Sequence, residues 1–317
     1  MLCPFNIRAQ GPKSLADSTN PSYILAVNLT FSIIIPTYNR AHVLPRAIGS
    51  VLHQTFKDWQ LIIVDDGSTD GTHEVVEPYL ADNRITYMAK ENTGAAHSRN
   101  VGAKHAEGKY LTFLDSDDEA LPTWLEKVHA AFVESKADIV CCGHADINEA
   151  GERINLVLPS ELGSVFGNHT GQFSKAGVYV LKRELFRSVG GFDADLRCAQ
   201  HTELAIRLLA NNVTIHNIEE PLITIHVYGN DRIRGNPDRL FAGTLRFLEK
   251  HKNVLADDSI MLANFYSILG VNAFRIGRYD ECKRALWLAA KTDPFRPIRW
   301  ARVAVSMSPR VARRVWT

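Results

Sequence analysis

The stretch that decides the fold reads FSIIIPTYNR, at residues 31–40. Its first half, Phe31 to Ile35, is an apolar and largely β-branched run with the length of a buried strand. Pro36 ends that run, and residues 37–40 add hydroxyl, aromatic, amide and guanidinium groups. Open α/β sheets bind ligands at the carboxyl ends of their strands. This polar turn therefore predicts a ligand site, and its composition suits a nucleotide.

Outward from this stretch, short apolar runs alternate with amphipathic stretches as far as residue 142. Alternation of this kind is typical of βαβ units, whose sheets are mainly parallel. The predicted strands are Phe31 to Ile35, Leu61 to Val64, Ile85 to Met88, Tyr110 to Leu114 and Ile139 to Cys142. The predicted helices lie near Ala96 to Ala106 and Pro122 to Ser135. The fold class is α/β and Rossmann-like, with a mainly parallel sheet flanked by helices.

The chain divides into regions of different character. Residues 1–30 lack the pattern of a signal peptide and are interpreted as a partly irregular leader. Residues 31–236 form the α/β domain, with a first half to about 142 and a second half over about 177–236. Between the halves, the glycine-rich stretch 151–176 predicts a loop or a flap over a site. The second half has predicted strands at Val178 to Leu181 and Ile223 to His226 and a helix at Glu203 to Leu209.

Composition limits the classes of protein. The 317 residues are 45% hydrophobic and 22% charged, which predicts a packed core rather than disorder. A net charge of +1 gives no field that would attract nucleic acid as a partner. The five cysteines are irregularly spaced, which predicts reduced thiols and a cytoplasmic protein. No apolar run reaches the roughly 18–20 residues of a spanning helix.

Paired carboxylates follow the second predicted strand. Asp65 and Asp66 come directly after its apolar run, and a glycine turn follows them. Because parallel strands end at the same edge, these groups are expected beside the 37–40 turn, where one carboxylate can accept hydrogen bonds from a base or a ribose. The alternative is a turn followed by a helix N-cap, which Asp and Gly favour for local reasons.

A denser acidic cluster follows the fourth predicted strand, with Asp115, Asp117, Asp118 and Glu119 within five residues. Repulsion makes such crowding costly unless a cation or hydrogen-bond donors offset it. Hard oxygen ligands suit Mg²⁺ or Mn²⁺ shared with phosphate oxygens. The alternative is a solvated start of a helix. Arg99 is expected at the same edge, where its guanidinium can pair with a phosphate or hold the acidic cluster.

Four segments, at residues 32–40, 64–72, 92–102 and 113–118, together resemble the family 2 glycosyltransferases. The resemblance covers about residues 31–230 and implies a GT-A fold and a nucleotide-sugar donor, a UDP-sugar first of all. It also implies metal-dependent, inverting transfer to a hydroxyl of a glycan or lipid-linked acceptor in polysaccharide synthesis. The implied nucleotide-sugar-binding residues are Pro36, Thr37, Tyr38, Asn39, Arg40, Asp65, Asp66, Asn92, Gly94, Arg99, Asp115, Ser116 and Asp117.

The resemblance also assigns roles within this set. Asp66 is expected to contact the base, and Asp117 to be the direct metal ligand with Asp118 as its support. His226 is a further candidate for the metal or the diphosphate. A nucleotidyltransferase or a nicotinamide dehydrogenase is a weaker interpretation, because residues 36–40 contain no glycine and the chain has no GxGxxG motif.

The position of the family's catalytic Asp holds His201 in this chain. A neutral imidazole can accept a proton from a sugar hydroxyl, so His201 is the predicted base and Glu203 the second candidate. The alternative is a catalytically altered or inactive homologue that binds nucleotide sugars without transferring them.

After Pro237 the pattern predicts helices alone. The spacing from Tyr266 to Pro294 resembles one tetratricopeptide hairpin, for which a plain helical hairpin and a partner-binding repeat are the two interpretations. The tail from Lys291 to Thr317 holds seven basic residues and one acidic residue, with apolar groups between them. This pattern predicts an amphipathic segment peripheral to the inner, anionic face of a membrane. The alternative is a docked helix with its arginines in solvent.

Overall fold

The structure is a computed structural model and describes residues 29–161, 173, 175–196, 198–227 and 236–316. Its described part holds one sheet of nine strands with helices on both faces and further helices at the carboxyl end. The strands are β1 (Phe31–Thr37), β2 (Trp59–Asp65), β3 (Ile85–Ala89), β4 (Tyr110–Phe113), β5 (Glu119–Ala120), β6 (Ile139–Ile147), β7 (Arg153–Val157), β8 (Tyr179–Lys182) and β9 (Ile215–His226).

The described helices fall into two groups. Those of the α/β domain are α1 (Leu44–Leu52), α2 (Thr72–Val76), α3 (Ala95–Lys104), α4 (Trp124–Ser135), α5 (Arg183–Ser188) and α6 (Gln200–Leu209), with 3₁₀ turns at Glu77–Ala81 and Pro159–Glu161. Those of the carboxyl-terminal region are α7 (Pro237–Leu255), α8 (Ser259–Arg275), α9 (Tyr279–Thr292), α10 (Pro297–Ser306) and α11 (Pro309–Trp316). Within the described ranges, none of these helices has the length and apolar composition needed to cross a membrane.

The sheet order is β3-β2-β1-β4-β8-β6-β9-β5, and β7 pairs with β6. Strands β3, β2, β1 and β4 are parallel, as predicted for the first half of the domain. In the second half β8 runs antiparallel to β4 and β6, while β9 is parallel to β6. The sequence of strands moves outward from β1 to β3 and then returns to β4, so the sheet has a topological switch point between β1 and β4.

Both faces of the sheet are buried, which explains why its strands read as continuous apolar runs. Side chains alternate between the faces, so Ile33 and Ile35 join the core beneath α1 and α4, whereas Ile34 joins the core with α3 and α6. The β1 strand continues past Pro36 to Thr37, because residues 36 and 37 remain in register with β2. The prediction that Pro36 ends the strand was wrong by two residues.

The predicted loop at 151–176 contains a strand within its described part. Residues 153–157 form β7, which lies antiparallel to β6 with Ala145 opposite Leu156. Alternation over only five residues, most of them exposed, gave no strong strand signal in the sequence. Residues 162–172 and 174 of this loop, residues 1–28 of the predicted leader, Arg197 and Thr317 lie outside the described residues.

The carboxyl-terminal helices share a core with the α/β domain. Leu196 and Ile206, beside and on α6, are buried together with apolar side chains of α7, α8 and α9. Helices α8 and α9 form the predicted hairpin, in which Gly270 lets Leu286 approach closely. The region from 237 onward therefore packs on the second half of the domain, and whether the hairpin acts as a partner-binding repeat stays a prediction.

A close approach between the start of β1 and the turn before β4 yields a test of the fold. A Cβ at Gly108 would lie 2.5 Å from the carbonyl carbon of Phe31, where the rigid backbone cannot give way. We expect Gly108→Ala to lower the free energy of unfolding by about 1–3 kcal/mol, measured by urea denaturation. Gly49→Ala in α1, where a Cβ meets nothing within 4 Å, is the matched control and should leave stability unchanged or slightly raised. Equal effects would contradict the packing at Gly108.

Candidate active site

The site lies at the switch point, where β1, β2 and β4 end side by side. Thr37 is in register with Asp65, and Ile34 with Phe113, so the three strands deliver their carboxyl ends to one edge of the sheet. The turn after β1, the turn after β2 and the acidic segment 115–119 are thereby brought together. This juxtaposition is the one that the sequence predicted from parallel strand ends.

The turns after β1 and β2 are held to each other by reciprocal hydrogen bonds. The Asn39 N–H donates to Ser68 Oγ at 2.9 Å, and Asn39 Oδ1 accepts from the Thr69 N–H at 2.8 Å. The Ala41 N–H donates to Asp70 Oδ2 at 3.1 Å. Asn39 has a φ of +51°, a conformation that Asn tolerates better than most residues. The pairing makes the two turns one preformed wall.

Two side chains of the first turn remain available to a ligand. The Tyr38 ring is half-exposed, and a ring in this position can stack on a planar base. Thr37 is buried, and its Oγ1 has no hydrogen-bond partner among the described residues. Burial raises the pKa of Asp117 overall, and the nearby charge of Arg40 offsets part of that increase. The first turn thus leaves an aromatic face and a hydroxyl available to a ligand.

Asp65 and Asp66 are engaged in the support of neighbouring turns. Asp65 accepts hydrogen bonds from the Ser68 N–H at 2.8 Å and from the Tyr87 hydroxyl at 2.5 Å. Asp66 accepts from the Thr93 N–H at 2.9 Å and from the Gly94 N–H at 2.7 Å, and it pairs with Lys90.

The environment of Asp66 keeps it charged. Burial raises the pKa of Asp66, but Lys90 and the two backbone N–H groups outweigh burial and lower the pKa overall. Gly94 has a φ of +99°, which only glycine adopts readily, so the turn that Asp66 fixes depends on that residue. Asn92 is exposed in the same turn, beside Gly67. Since both Asp66 oxygens already hold the 90–94 turn, a direct contact of Asp66 with a base stays a prediction.

Arg99 joins the two halves of the domain. Its Nη2 donates to Asp115 Oδ1 at 2.6 Å, and its Nη1 donates to Gln200 Oε1 at 3.0 Å. The guanidinium is almost fully buried and lies over the Phe192 ring, with 5.6 Å from Cζ to the ring centroid. Of the two roles left open by the sequence, holding the acidic cluster is the one that this geometry shows. Arg99 Nε is buried without a partner among the described residues.

The acidic cluster carries more negative charge than its surroundings offset. Burial, and next the charge of Asp115, raise the pKa of Asp117. Burial raises the pKa of Asp118 well above its usual value, and the charges of Asp115 and Asp117 add to that increase. Ser116 lies buried between them. Carboxylates in this state are expected to gain from a divalent cation, so the donor set fits Mg²⁺ or Mn²⁺.

The cation ligands are not assembled in advance. Among the side chains that the structure describes, no three Asp, Glu, His or Cys groups are already gathered around one point that a metal could occupy. His226 Nε2 lies 2.8 Å from Glu119 Oε1, and its role as a metal ligand stays a prediction. Asp118 Oδ1 accepts the His226 backbone N–H at 3.1 Å, so this carboxylate ties β9 to the cluster. Asp117 is left as the carboxylate best placed for a cation.

His201 opens helix α6 and lies within an aromatic and charged enclosure. Its Nδ1 is 2.8 Å from the Tyr179 hydroxyl, and its ring lies edge-on to the Phe192 ring at 5.2 Å. Burial, and next the charge of Arg99, lower the pKa of His201 to about 3, although Asp115 opposes the decrease. The imidazole is therefore neutral at pH 7, as a base must be, but it is a weaker proton acceptor than an ordinary histidine.

Glu203, the second predicted base, does not have the surroundings of a base. Its side chain is fully buried and binds Arg207 of its own helix together with Lys250 and His251 of α7, the latter two at 2.7 and 3.1 Å. Burial raises the pKa of Glu203, but His251, Arg207 and Lys250 outweigh it and lower the pKa overall. A carboxylate bound by Arg207, Lys250 and a further hydrogen-bonding side chain accepts protons poorly. Glu203 instead anchors α6 to the carboxyl-terminal helices.

Several residues of the site carried no recognisable signal in the sequence. Lys90 and Tyr179 lie in predicted strands or turns, and only the folded chain shows that they contact Asp66 and His201. Arg46 projects from α1 and donates through Nη2 to the Asp117 carbonyl oxygen at 2.6 Å. Gln200 stands in a motif that the sequence did single out, but its pairing with Arg99 was not predicted. These partners come from distant segments.

The fold defines an α/β protein of the GT-A type. The sequence profile described as glycosyl transferase family 2 matches residues 32–190, half of the chain. The chain therefore belongs to glycosyl transferase family 2.

Relatives agree with this assignment. An uncharacterized glycosyltransferase of Rickettsia felis is 33% identical over 216 residues, which are 68% of this chain and 36% of that protein. WcaA of Escherichia coli (strain K12), a glycosyl transferase assigned by inference to colanic acid biosynthesis, is 32% identical over 71% of this chain and 82% of its own length. The chain spans between 18% and 39% of the length of the Rickettsia felis, Rickettsia conorii, Rickettsia bellii and Streptococcus pneumoniae GlyA relatives.

Solved structures show the same fold. The crystal structure of S. aureus TarS 1-349 aligns with a TM-score of 0.60 at 19% identity, over 90% of this chain and 87% of that one. The mannosyltransferase PcManGT from Pyrobaculum calidifontis, in complex with GDP-Man and Mn²⁺, aligns with a TM-score of 0.53 at 17% identity, over 96% and 90% of the two chains. The GT-A fold expected from the resemblance is thereby confirmed, together with its carboxyl-terminal helices.

The Glu203 network predicts a pH-dependent contribution to stability. The pKa of Glu203 is lower in the folded chain than its value near 4.5 in the unfolded chain. The contribution of ionised Glu203 to the free energy of unfolding is therefore present above about pH 4.5 and is lost as the pH falls toward the folded-state pKa. We expect Glu203→Gln to lower the free energy of unfolding by about 3–5 kcal/mol at pH 7, because Lys250 and His251 lose their buried partner. The difference from wild type should shrink below about pH 4.5.

Chemical denaturation between pH 3 and pH 8 measures this difference. Glu249→Gln, an exposed position on α7, is the matched control and should have little effect at any pH. A Glu203→Gln penalty that stays constant over the whole pH range would contradict the ionic network.

Proposed function

We propose that the protein transfers a sugar from a nucleoside diphosphate donor to a hydroxyl acceptor, in the synthesis of a glycan or polysaccharide. The observation that carries the proposal is the pair of incompletely compensated carboxylates, Asp117 and Asp118, at the switch-point edge beside the turn after β1. An edge with this charge suits a ligand that brings a divalent cation and a diphosphate together. Membership of glycosyl transferase family 2 supports the same reaction.

The donor is placed by the two turns and the acidic segment. Tyr38 supplies a ring for the base, Thr37 and Asp65 supply hydrogen-bonding groups, and Asp115 to Asp117 face the ribose and diphosphate. A UDP-sugar is the first candidate, since TarS has been crystallised with UDP and with UDP-GlcNAc. GDP-Man is the second, because it is the donor in the PcManGT complex.

The residues that would hold Mg²⁺ or Mn²⁺ are Asp117, directly, and Asp118, as its neighbour. When bound there, the cation would supply positive charge for the diphosphate leaving group. The protein's own contribution is to hold Asp115 away from the cation through Arg99 and to brace the Asp117 backbone through Arg46. This arrangement leaves the Asp117 carboxylate as the principal protein ligand.

The acceptor reacts on the opposite side of the sugar ring. One in-line displacement forms the bond from the acceptor oxygen to the anomeric carbon while the bond to the diphosphate breaks, and the configuration inverts. His201 accepts the hydroxyl proton, in line with its neutral state and its position beside Arg99 and Asp115. The second half of the domain, from β8 to β9, binds a glycan or lipid-linked acceptor on the cytoplasmic side.

A second candidate function follows from the same histidine. The low pKa of His201 makes it a weak base, so a protein that binds nucleotide sugars without transferring them is the alternative. Donor binding is common to both candidates, whereas turnover belongs only to the first. Experiments on the metal and on the base therefore separate them.

The cation is tested by its coupling to nucleotide binding. We expect UDP and Mn²⁺ each to bind weakly alone and at least tenfold more tightly together, because phosphate oxygens complete the coordination of the cation. Asp117→Asn should remove that gain, as measured by isothermal titration calorimetry. Asp280→Asn, an exposed position on α9, is the control and should keep it. If Asp117→Asn preserved the coupling for UDP and GDP alike, the assignment of Asp117 would be wrong.

The base is tested by turnover. We expect His201→Ala to lower the rate of sugar transfer by about 10²-fold, at the low end for a general base because the wild-type imidazole is a weak one. Affinity for the nucleotide should stay within twofold. His201→Asp should retain transfer, because a carboxylate with an ordinary pKa of about 3.9 is at least as strong a base as an imidazole whose pKa is lowered to about 3. Release of nucleoside diphosphate from a panel of donors and acceptors is the measurement.

The outcomes separate the two candidates. Wild-type turnover by His201→Ala would exclude His201 as the base. Donor binding without turnover for every donor and acceptor in wild type, with turnover gained in His201→Asp, would establish the binding-only function.

A further inference from the structure

Helix α10 buries an arginine beside Val303 and Val305 and leaves several apolar side chains exposed. Arg299 is only 3% exposed, and its Nε donates to Asp293 Oδ2 at 2.8 Å. The same guanidinium donates to Ser267 Oγ at 3.3 Å and to Asn264 Oδ1 at 3.1 Å, both on α8. Ser306, two helical turns further along, is buried on the same side. The sequence allowed a docked helix with its arginines in solvent. Arg299 departs from that interpretation, because it is buried and hydrogen-bonded to Asp293 and to α8.

The opposite face of α10 is uncharged and exposed. Of positions 297, 300, 301, 304 and 307, the positions 297, 301 and 304 lie on the side away from Arg299 at 100° per residue, whereas 300 and 307 lie roughly at right angles to it. Their side chains belong to Pro, Trp, Ala, Ala and Met, and Met307 is 68% exposed. On the flank of this face Ile298 is 58% exposed, and Phe295 in the preceding turn is 94% exposed. An outer face of this kind is unusual on a soluble helix and indicates an apolar partner.

Helix α11 continues the exposed surface with charge. Its inner side docks on α8, where the Trp316 ring lies 5.2 Å from the Phe274 ring and Ala312 is fully buried. Val311 and Val315 remain about half-exposed or more, next to the exposed Arg310 and Arg314. We use the name tail face for the exposed side chains of residues 295–315. The docked residues show that the tail face is held in place by the fold.

Charge restricts the partner of the tail face. Residues 294–317 contain no aspartate or glutamate and six arginines, five of them besides the buried Arg299, whereas the whole chain has a net charge of only +1. A second copy would bring arginines against arginines across a two-fold axis, which costs energy. A surface that is both apolar and anionic complements the tail face, and a bilayer with anionic lipids has both properties.

We propose that the tail face docks on the surface of an anionic phospholipid bilayer. Phe295, Ile298 and Met307 enter the boundary between headgroups and acyl chains, and Trp300 lies at headgroup level with its ring only partly exposed. Arg310 and Arg314 bind lipid phosphates beside them. No spanning segment is involved, so the attachment is peripheral and reversible. This inference stands apart from the proposed sugar transfer, since it uses none of the residues of the candidate active site.

Vesicle flotation of the full chain tests the apolar contribution. Wild type should float with vesicles of phosphatidylcholine and phosphatidylglycerol and should bind pure phosphatidylcholine at least tenfold less. The double variant Phe295→Ser/Met307→Ser should reduce binding to the anionic vesicles by roughly tenfold or more, because both side chains are exposed and are buried only on the bilayer. Val133→Ser is the matched control, because Val133 is 64% exposed on α4 in the α/β domain. It should bind like wild type.

The charged contribution is tested separately. Arg310→Gln/Arg314→Gln should reduce binding to anionic vesicles by roughly tenfold or more, and 0.5 M salt should have a similar effect on wild type. The midpoint of urea denaturation should be unchanged in every variant, which shows that the fold is intact and keeps this test independent of donor binding and transfer.

Three outcomes would overturn the proposal. The first is no wild-type flotation with anionic vesicles, and the second is equal flotation with neutral and anionic vesicles. The third is a dimer, seen by analytical ultracentrifugation, that Phe295→Ser/Met307→Ser dissociates. That result would assign the tail face to a second copy of the chain.

Discussion

A single buried guanidinium connects the parts of this molecule on which the candidate reaction depends. Arg99 reaches Asp115 in the first half of the domain and Gln200 at the start of α6, so one side chain ties the acidic cluster to the second half. The Arg99 charge also offsets part of the negative charge of the acidic cluster. Burial is the larger cause of the low pKa of His201, and the charge of Arg99 lowers that pKa further. Removal of this side chain would therefore change the geometry, the charge and the proton affinity of the site together.

The site divides its charged groups into satisfied and unsatisfied ones. Asp65 and Asp66 have hydrogen-bond donors on every side and serve the shape of the loops, whereas Asp117 and Asp118 have raised pKa values because burial and like charge are incompletely offset. The same residue type thus has two physical roles within one edge of the sheet. A ligand that carries its own cation gains most where the compensation is weakest.

The sequence predicted those features that depend on local pattern. Continuous apolar runs in the sequence predicted β1, β2 and β4. Because parallel strands end at the same edge of a sheet, the sequence also predicted that Thr37, Asp65 and Asp115 lie at one edge. The sequence did not predict which side chains pair with one another across distant segments. Lys90 contacts Asp66, Tyr179 contacts His201, and Lys250 contacts Glu203 only because the tertiary fold brings them together. The exposed β7 strand and the inward Arg299 were missed for a related reason. A short exposed strand has little apolar signal, and the usual amphipathic rule assigns an arginine to solvent.

The anchoring of Glu203 has a consequence for how such proteins can be recombined. His201 and Glu203 lie two positions apart on α6, and the cations that neutralise Glu203 come partly from α7. The carboxyl-terminal helices are for this reason not a module that can be exchanged alone between relatives. A chimera with a foreign α7 would bury the Glu203 carboxylate with Arg207 as its remaining charged partner among those described here, close to His201. The smallest unit of exchange is the pair α6 and α7, so the evolutionary histories of the two helices are expected to be linked.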